Sequence, residues 1–177
     1  VPEYIDDATF GDYFRDFQYT AWRLETRRGY ASDLASERYA RFQNGERLGI
    51  EPSTWSDNIR AQTRQGKRIE RVRLVDNPPT QGQRFLLASA VNNIAAGEDI
   101  RNLWRAEAEK LSLPAEDFWL FDARRALLLH FDEADEYLGS ELIEDPVRIA
   151  RYCQVRDAAW HHAIRREQFV EQVRSHA

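Results

Sequence analysis

Six residues, Asp117-Phe118-Trp119-Leu120-Phe121-Asp122, constrain this chain more than any other segment. In an extended strand, successive side chains point to opposite faces. Phe118 and Leu120 then project one way, and Trp119 and Phe121 the other. Both faces are apolar, so the strand must lie between two layers of structure. The bracketing aspartates suit strand ends, because Asp favours turns. Two further short apolar runs follow at residues 126–132 and 137–143, with Asp, Arg, Glu and Gly in the connections. Three such runs predict an antiparallel three-strand meander.

The rest of the chain supplies helices and further strands. Thr9 is the expected cap of a first helix, with Asp12 three residues on. Phe10, Tyr13, Phe14 and Phe17 recur at i, i+3, i+4 and i+7, which puts four aromatics on one helical face. That face reads as core packing, with a partner-binding stripe as the alternative. Residues 19–26 read as extended, with Trp22 and Leu24 opposite Arg23 and Glu25. Residues 34–43 predict a short helix ending near Gly45. Ser53 or Ser56 caps another that stops at Gly66. Residues 68–76 predict a strand ended by Pro78-Pro79, followed by a helix with Leu87, Ala90, Val91 and Ile94 on its buried side. Residues 100–111 fit either a helix or a short edge strand followed by other structure. Asp145-Pro146 is a strong helix start, and the helix is expected to reach Arg166. The expected fold is therefore α+β: one domain over residues 1–177, with an antiparallel sheet packed against several helices.

Composition narrows the function classes. No run approaches the ~18 consecutive apolar residues of a membrane helix. Val1-Pro2-Glu3-Tyr4 shows no basic or apolar leader pattern, and the absent initiator Met suggests a processed or trimmed chain. Cys153 is the sole cysteine, so no internal disulfide forms, which fits a reducing, cytoplasmic setting. The net charge of −5 argues against coating nucleic acid by bulk charge. Only Lys67 and Lys110 are lysines; all other basic residues are arginines. Arginine forks suit phosphate or carboxylate, although a GC-rich genome gives the same bias.

Three constellations could carry chemistry. Arg60, Arg64, Lys67, Arg68, Arg71 and Arg73 form a basic segment broken only by Glu70, and Arg84 could join it. Asp122 and His130 are candidate acid/base residues, with Asp117 and Asp132 nearby in sequence. Their spacing matches no metal signature, so no metal is expected. Cys153, Asp157 and His161 share a helix face, but Cys153 and His161 lie about 12 Å apart along the axis, too far for a thiolate–imidazole pair. Asp157 is expected to pair with His161 or Arg165. No glycine-rich phosphate loop, nucleophile elbow or zinc pattern is present, so no cofactor is expected.

Trp22-Arg23-Leu24-Glu25, Arg71-Val72-Arg73, Arg84-Phe85, Gly97-Glu98-Asp99-Ile100-Arg101, residues 117–122 and Arg156-Asp157-Ala158-Ala159-Trp160 span nearly the whole chain. Together they resemble an uncharacterised actinobacterial family, a domain of unknown function. The resemblance implies a companion of helix-turn-helix regulators encoded nearby. With no evident recognition helix of its own, the chain would be the partner and not the DNA reader. The leading expectation is a cytoplasmic regulatory or interaction module. It would bind a protein through Arg64, Lys67, Arg68, Arg71, Arg73 and Arg84 with neighbouring aromatics. The alternatives are a toxin-like RNase, with Arg71, Arg73 and Arg84 on phosphate and Asp122 and His130 as acid and base, and a phosphate or nucleotide sensor. A partner module needs an exposed apolar patch beside the arginines. An RNase needs His130 within reach of Arg71 and Arg73.

Overall fold

In the computed structural model, which describes residues 1–177, Asp6 opens the first helix, α1 (Asp7–Asp16), by accepting from the Thr9 amide at 2.7 Å. Thr9 is thus inside the first turn and not its cap, because a carboxylate three residues upstream takes its N–H. Strand β1 (Thr20–Glu25) follows. The single helix expected over 34–43 is two, α2 (Ala31–Leu34) and α3 (Glu37–Gln43). The break falls where the Ser36 hydroxyl accepts from the Tyr39 amide and starts a new helix. Ser53 and Ser56 form a reciprocal capping box on α4 (Thr54–Thr63). Strand β2 (Arg68–Val75) then leads to α5 (Gln81–Ser89), capped by Thr80 and Gln83, and α6 (Val91–Ala96). Gly97, at φ +120°, ends α6 where its missing Cβ would meet Thr63 Oγ1 at 2.8 Å.

The ambiguous segment resolves as strand and then helix: β3 (Asp99–Trp104) and α7 (Arg105–Lys110). Strands β4 (Asp117–Phe121), β5 (Arg125–Phe131) and β6 (Tyr137–Ile143) follow, with β5 antiparallel to β4 and β6 antiparallel to β5. Helix α8 (Pro146–His162) starts at Asp145, whose carboxylate accepts from the Arg148 amide. It ends four residues short of Arg166, because Ala163 turns extended and Ile164–Arg165 (β7) pairs with β3. A last, largely polar helix, α9 (Arg166–Ser175), is anchored by the fully buried Phe169 against Val75 and Leu87.

The seven strands form one sheet in the order β6-β5-β4-β1-β2-β3-β7. It is mixed, not antiparallel as expected: β1, β2 and β3 run parallel. The reason lies in the connections. Helices α2 to α4 separate β1 from β2, and α5 and α6 separate β2 from β3. Helical crossovers return the chain to the same end of the sheet, whereas short turns reverse it.

One face of the sheet buries Trp22, Leu24, Val72, Phe118, Leu120 and Leu128 against Ile149, Tyr152, Val155 and Ala159 of α8. The other buries Ala21, Ile69, Trp119, Phe121 and Leu127 against Phe14 and Phe17, Ile59 of α4 and Ala96 of α6. Strand β4 is covered on both sides, with Phe118 and Leu120 in one layer and Trp119 and Phe121 in the other. Each such buried side chain contributes about 1.5–3 kcal/mol relative to exposure.

Candidate functional site

Parallel pairing of β1 with β2 places Arg23 beside Arg71 and Glu25 beside Arg73. Antiparallel pairing with β4 sets Trp119 opposite Arg23. These side chains share the face that carries Ala21 and Ile69, so charge gathers on a buried surface. Glu25 divides its carboxylate between two arginines: Arg71 Nη1 binds Oε1, and Arg73 Nε binds Oε2 at 2.9 Å. Arg71 Nε reaches Glu98 Oε1 at 2.7 Å. Arg23 Nη2 reaches Asp117 Oδ2 at 3.0 Å. Asp117 also accepts from the Thr26 amide (2.9 Å), the Thr26 hydroxyl (2.7 Å) and the Tyr30 hydroxyl (2.6 Å). Three guanidiniums thus meet three carboxylates, and the cluster balances internally.

Ionisation follows from this pairing. Burial would raise the Glu25 carboxyl, but Arg73, Arg71 and Arg23 outweigh it and hold its pKa down at about 2. Burial would lower the Arg71 pKa, but Glu98 and Glu25 raise it above its ordinary value. Tyr30 is pushed well up by burial and then by Glu25 and Asp117, so it stays a hydroxyl donor. Burial, with the Glu25 charge, also raises the Asp33 carboxyl.

Above this cluster lies a groove of about 610 Å³ between α1 and α4. Phe10 and Phe14 form one wall and Trp55 and Asn58 the other, with Trp119 and Arg71 also lining it. Trp119 meets Phe14 edge-on at 4.9 Å and Trp55 at 5.9 Å. The Arg71 guanidinium stands 5.2 Å from the Trp119 ring centre, and its Nη2 donates to nothing in the chain. The groove therefore offers aromatic surface with a fixed cation and a free donor.

The arginines of the sequence-predicted patch do not form one surface. Arg64, Arg68 and Arg84 are exposed, whereas Arg71 and Arg73 are tied into the buried cluster. Lys67 is half-buried, bonded to Gln62 Oε1 at 2.8 Å and stacked over Phe17. Asp122 and His130 are likewise separated. Asp122 lies in the turn after β4, where it accepts from the backbone amides of Gln18, Tyr19 and Thr20 at 2.7–3.0 Å. His130 sits towards the far end of β5, bonded to Glu141 at 3.1 Å. It faces the α8 layer and lies three strands from β2, roughly 14 Å at the usual strand spacing. An acid/base pair serving Arg71 and Arg73 cannot be assembled from these residues. Cys153 packs against the α8-side core, and Asp157 pairs with Arg156 and not with His161 or Arg165. No cluster of three or more His, Cys, Asp or Glu side chains is arranged to hold a metal ion.

Sequence reading missed Arg23, Glu25, Glu98 and the Trp55–Trp119 pair as site residues. The signal was present in one place: Arg23 and Glu25 alternate on a strand whose other side is apolar. Which acids meet which arginines depends on strand register, which no local pattern encodes.

A family model described as a domain of unknown function (DUF6879) matches residues 8–171. No curated protein matches the chain. Among solved structures, the fold is similar to that of a phospholipase D family member, Nuc from Salmonella typhimurium. The TM-score is 0.51 over 89% of this chain and 88% of that one, at 8% sequence identity, a likeness of fold alone. No helix is long and apolar enough to cross a membrane.

Proposed function

The chain belongs to the DUF6879 family of domains of unknown function, and from that premise we propose that it is a cytoplasmic interaction module. It takes a segment of a protein partner into the groove between α1 and α4. The observation that carries this reading is an open aromatic groove with a half-buried arginine, fixed by Glu25 and Glu98, at its edge. Aromatic anchors and a desolvated arginine are the usual ingredients of a binding hot spot. The matching segment presents an aromatic or aliphatic side chain to Phe10, Phe14, Trp55 and Trp119, and a carboxylate to Arg71 Nη2. Exposed Arg64 and Arg68, with Arg84 elsewhere on the surface, favour an acidic partner through long-range attraction and not through direct contact.

Resemblance to an actinobacterial family that accompanies helix-turn-helix regulators makes such a regulator the first partner to test. Calorimetry with the purified regulator should show saturable binding that weakens by roughly 2 kcal/mol or more in Trp55→Ala. Equal affinity for wild type and Trp55→Ala would remove the groove from the reading.

A second reading rests on the fold likeness to a phospholipase D family member. It makes the chain a phosphodiester-handling enzyme or a phosphate sensor. Saturable turnover of a chromogenic phosphodiester by the purified chain would favour the enzyme. Absence of turnover in wild type leaves this version without support.

A further inference from the structure

The turn that joins β5 to β6 sets exposed apolar side chains beside unpaired acids. Tyr137 is 45% exposed and Leu138 52%. Of the turn's four carboxylates, Asp135 pairs with Arg27, and Asp132 accepts from the Ala134 and Glu136 amides. Glu133 and Glu136 are left exposed and without a cation. Ile50 and Val147 are also exposed, but Ile50 adjoins Glu51, which Arg38 and Arg41 hold, and Val147 adjoins the cationic Arg148.

The turn is fixed before it meets anything. The Asp132 amide donates to the Glu136 carbonyl at 3.0 Å, and the Ala31 amide donates to the Asp135 carbonyl at 3.1 Å. Arg27 Nε reaches Asp135 Oδ1 at 2.6 Å. Tyr137 is committed as well, with its ring 5.9 Å from that of Phe131 and its hydroxyl 2.8 Å from Ser140 Oγ. Leu138 is therefore the side chain free to insert elsewhere, and a rigid turn loses little entropy on docking. Tied to Arg27 and Ala31 of its own copy, the turn reaches only the groove of another molecule.

The groove between α1 and α4 complements it. Its walls hold Phe10, Phe14, Trp55 and Trp119 with Arg15 and Arg71, and no acidic residue lines it. Arg71 Nη2 has no acceptor in the chain and is not buried. We propose that the β5–β6 turn of one copy docks in this groove of a second copy, with Leu138 against the aromatic rings and Glu136 towards Arg71. Two different patches meet in this contact, so it is heterologous and joins copies head to tail. The inference rests on the groove being a docking site and names its occupant when the regulator is absent. A regulator segment and the turn compete for the same rings.

Sedimentation velocity of the full chain, up to about 1 mM, tests this. Wild type should associate reversibly, and less so as salt is raised. Leu138→Asp on the turn and Trp55→Ala in the groove should each weaken association roughly tenfold or more. Mixing the two variants pairs an intact groove with an intact turn and should restore a single contact, giving a dimer and nothing larger. Circular dichroism shows whether Trp55→Ala is folded; Leu138→Asp changes an exposed side chain. A monomer at every concentration, association unchanged in Leu138→Asp, or no complex in the mixture of folded variants would each overturn the proposal. Leu138→Asp keeps the groove intact, so its titration with the regulator judges the groove reading separately.

Discussion

Glu25 on β1 and Arg71 on β2 form an ion pair between neighbouring parallel strands, and the second oxygen of Glu25 holds Arg73. This one carboxylate keeps two arginines of the sequence-level basic segment inside the protein. It also fixes Arg71 at the edge of the aromatic groove, so that only Nη2 is left for a partner. Stability and proposed function are joined at the same side chain.

Replacing Glu25 by Gln leaves Arg71 and Arg73 buried with less negative charge. Breaking a buried pair by removing one partner costs about 3–5 kcal/mol. Urea unfolding of Glu25→Gln should therefore show a large drop in midpoint. A loss below about 1 kcal/mol would mean that the arginines find other partners at little cost.

The same residue sets an acid response. Its folded-state pKa of about 2 lies below the ordinary value of 4.5. A lowered carboxyl contributes stability that is fully present above its unfolded pKa and is lost as pH falls towards the folded one. Between pH about 4.5 and about 2, wild type should lose roughly 3 kcal/mol through Glu25 alone. The difference in stability between wild type and Glu25→Gln, measured across that window, should shrink as pH falls. A difference that stays constant contradicts the assignment.

The β4–β5 turn gives a paired prediction. Asp122 and Ala123 both sit at φ +54°. Asp tolerates that region, and this one also ties down the α1–β1 link through three amides. Ala123 has no such compensation. Thermal unfolding should show Asp122→Ala destabilised by roughly 2–3 kcal/mol. Ala123→Gly should be stabilised by roughly 0.5–1 kcal/mol. Opposite signs at adjacent residues distinguish this account from general sensitivity of the turn.

Local pattern made β4 legible, because alternation of Phe118, Trp119, Leu120 and Phe121 depends only on the period of a strand. The start of α8 was legible for the same reason, since Asp145 and Pro146 act within one turn. Parallel pairing of β1, β2 and β3 was not, because it joins residues separated by helices. Helix α9 escaped notice because one buried aromatic, Phe169, anchors an otherwise polar sequence. The site divides likewise. The arginines were visible as a segment, but only tertiary pairing showed that Arg71 and Arg73 face inward and that Asp122 and His130 are apart.

Backbone amide chemical-shift mapping of the isotope-labelled chain, titrated with the proposed partner, a helix-turn-helix regulator, tests the groove reading most directly. The account predicts that perturbations gather on α1 and α4, with the Trp55 and Trp119 indole signals among the largest. Perturbations confined to other surfaces, with those indole signals unmoved, would contradict it.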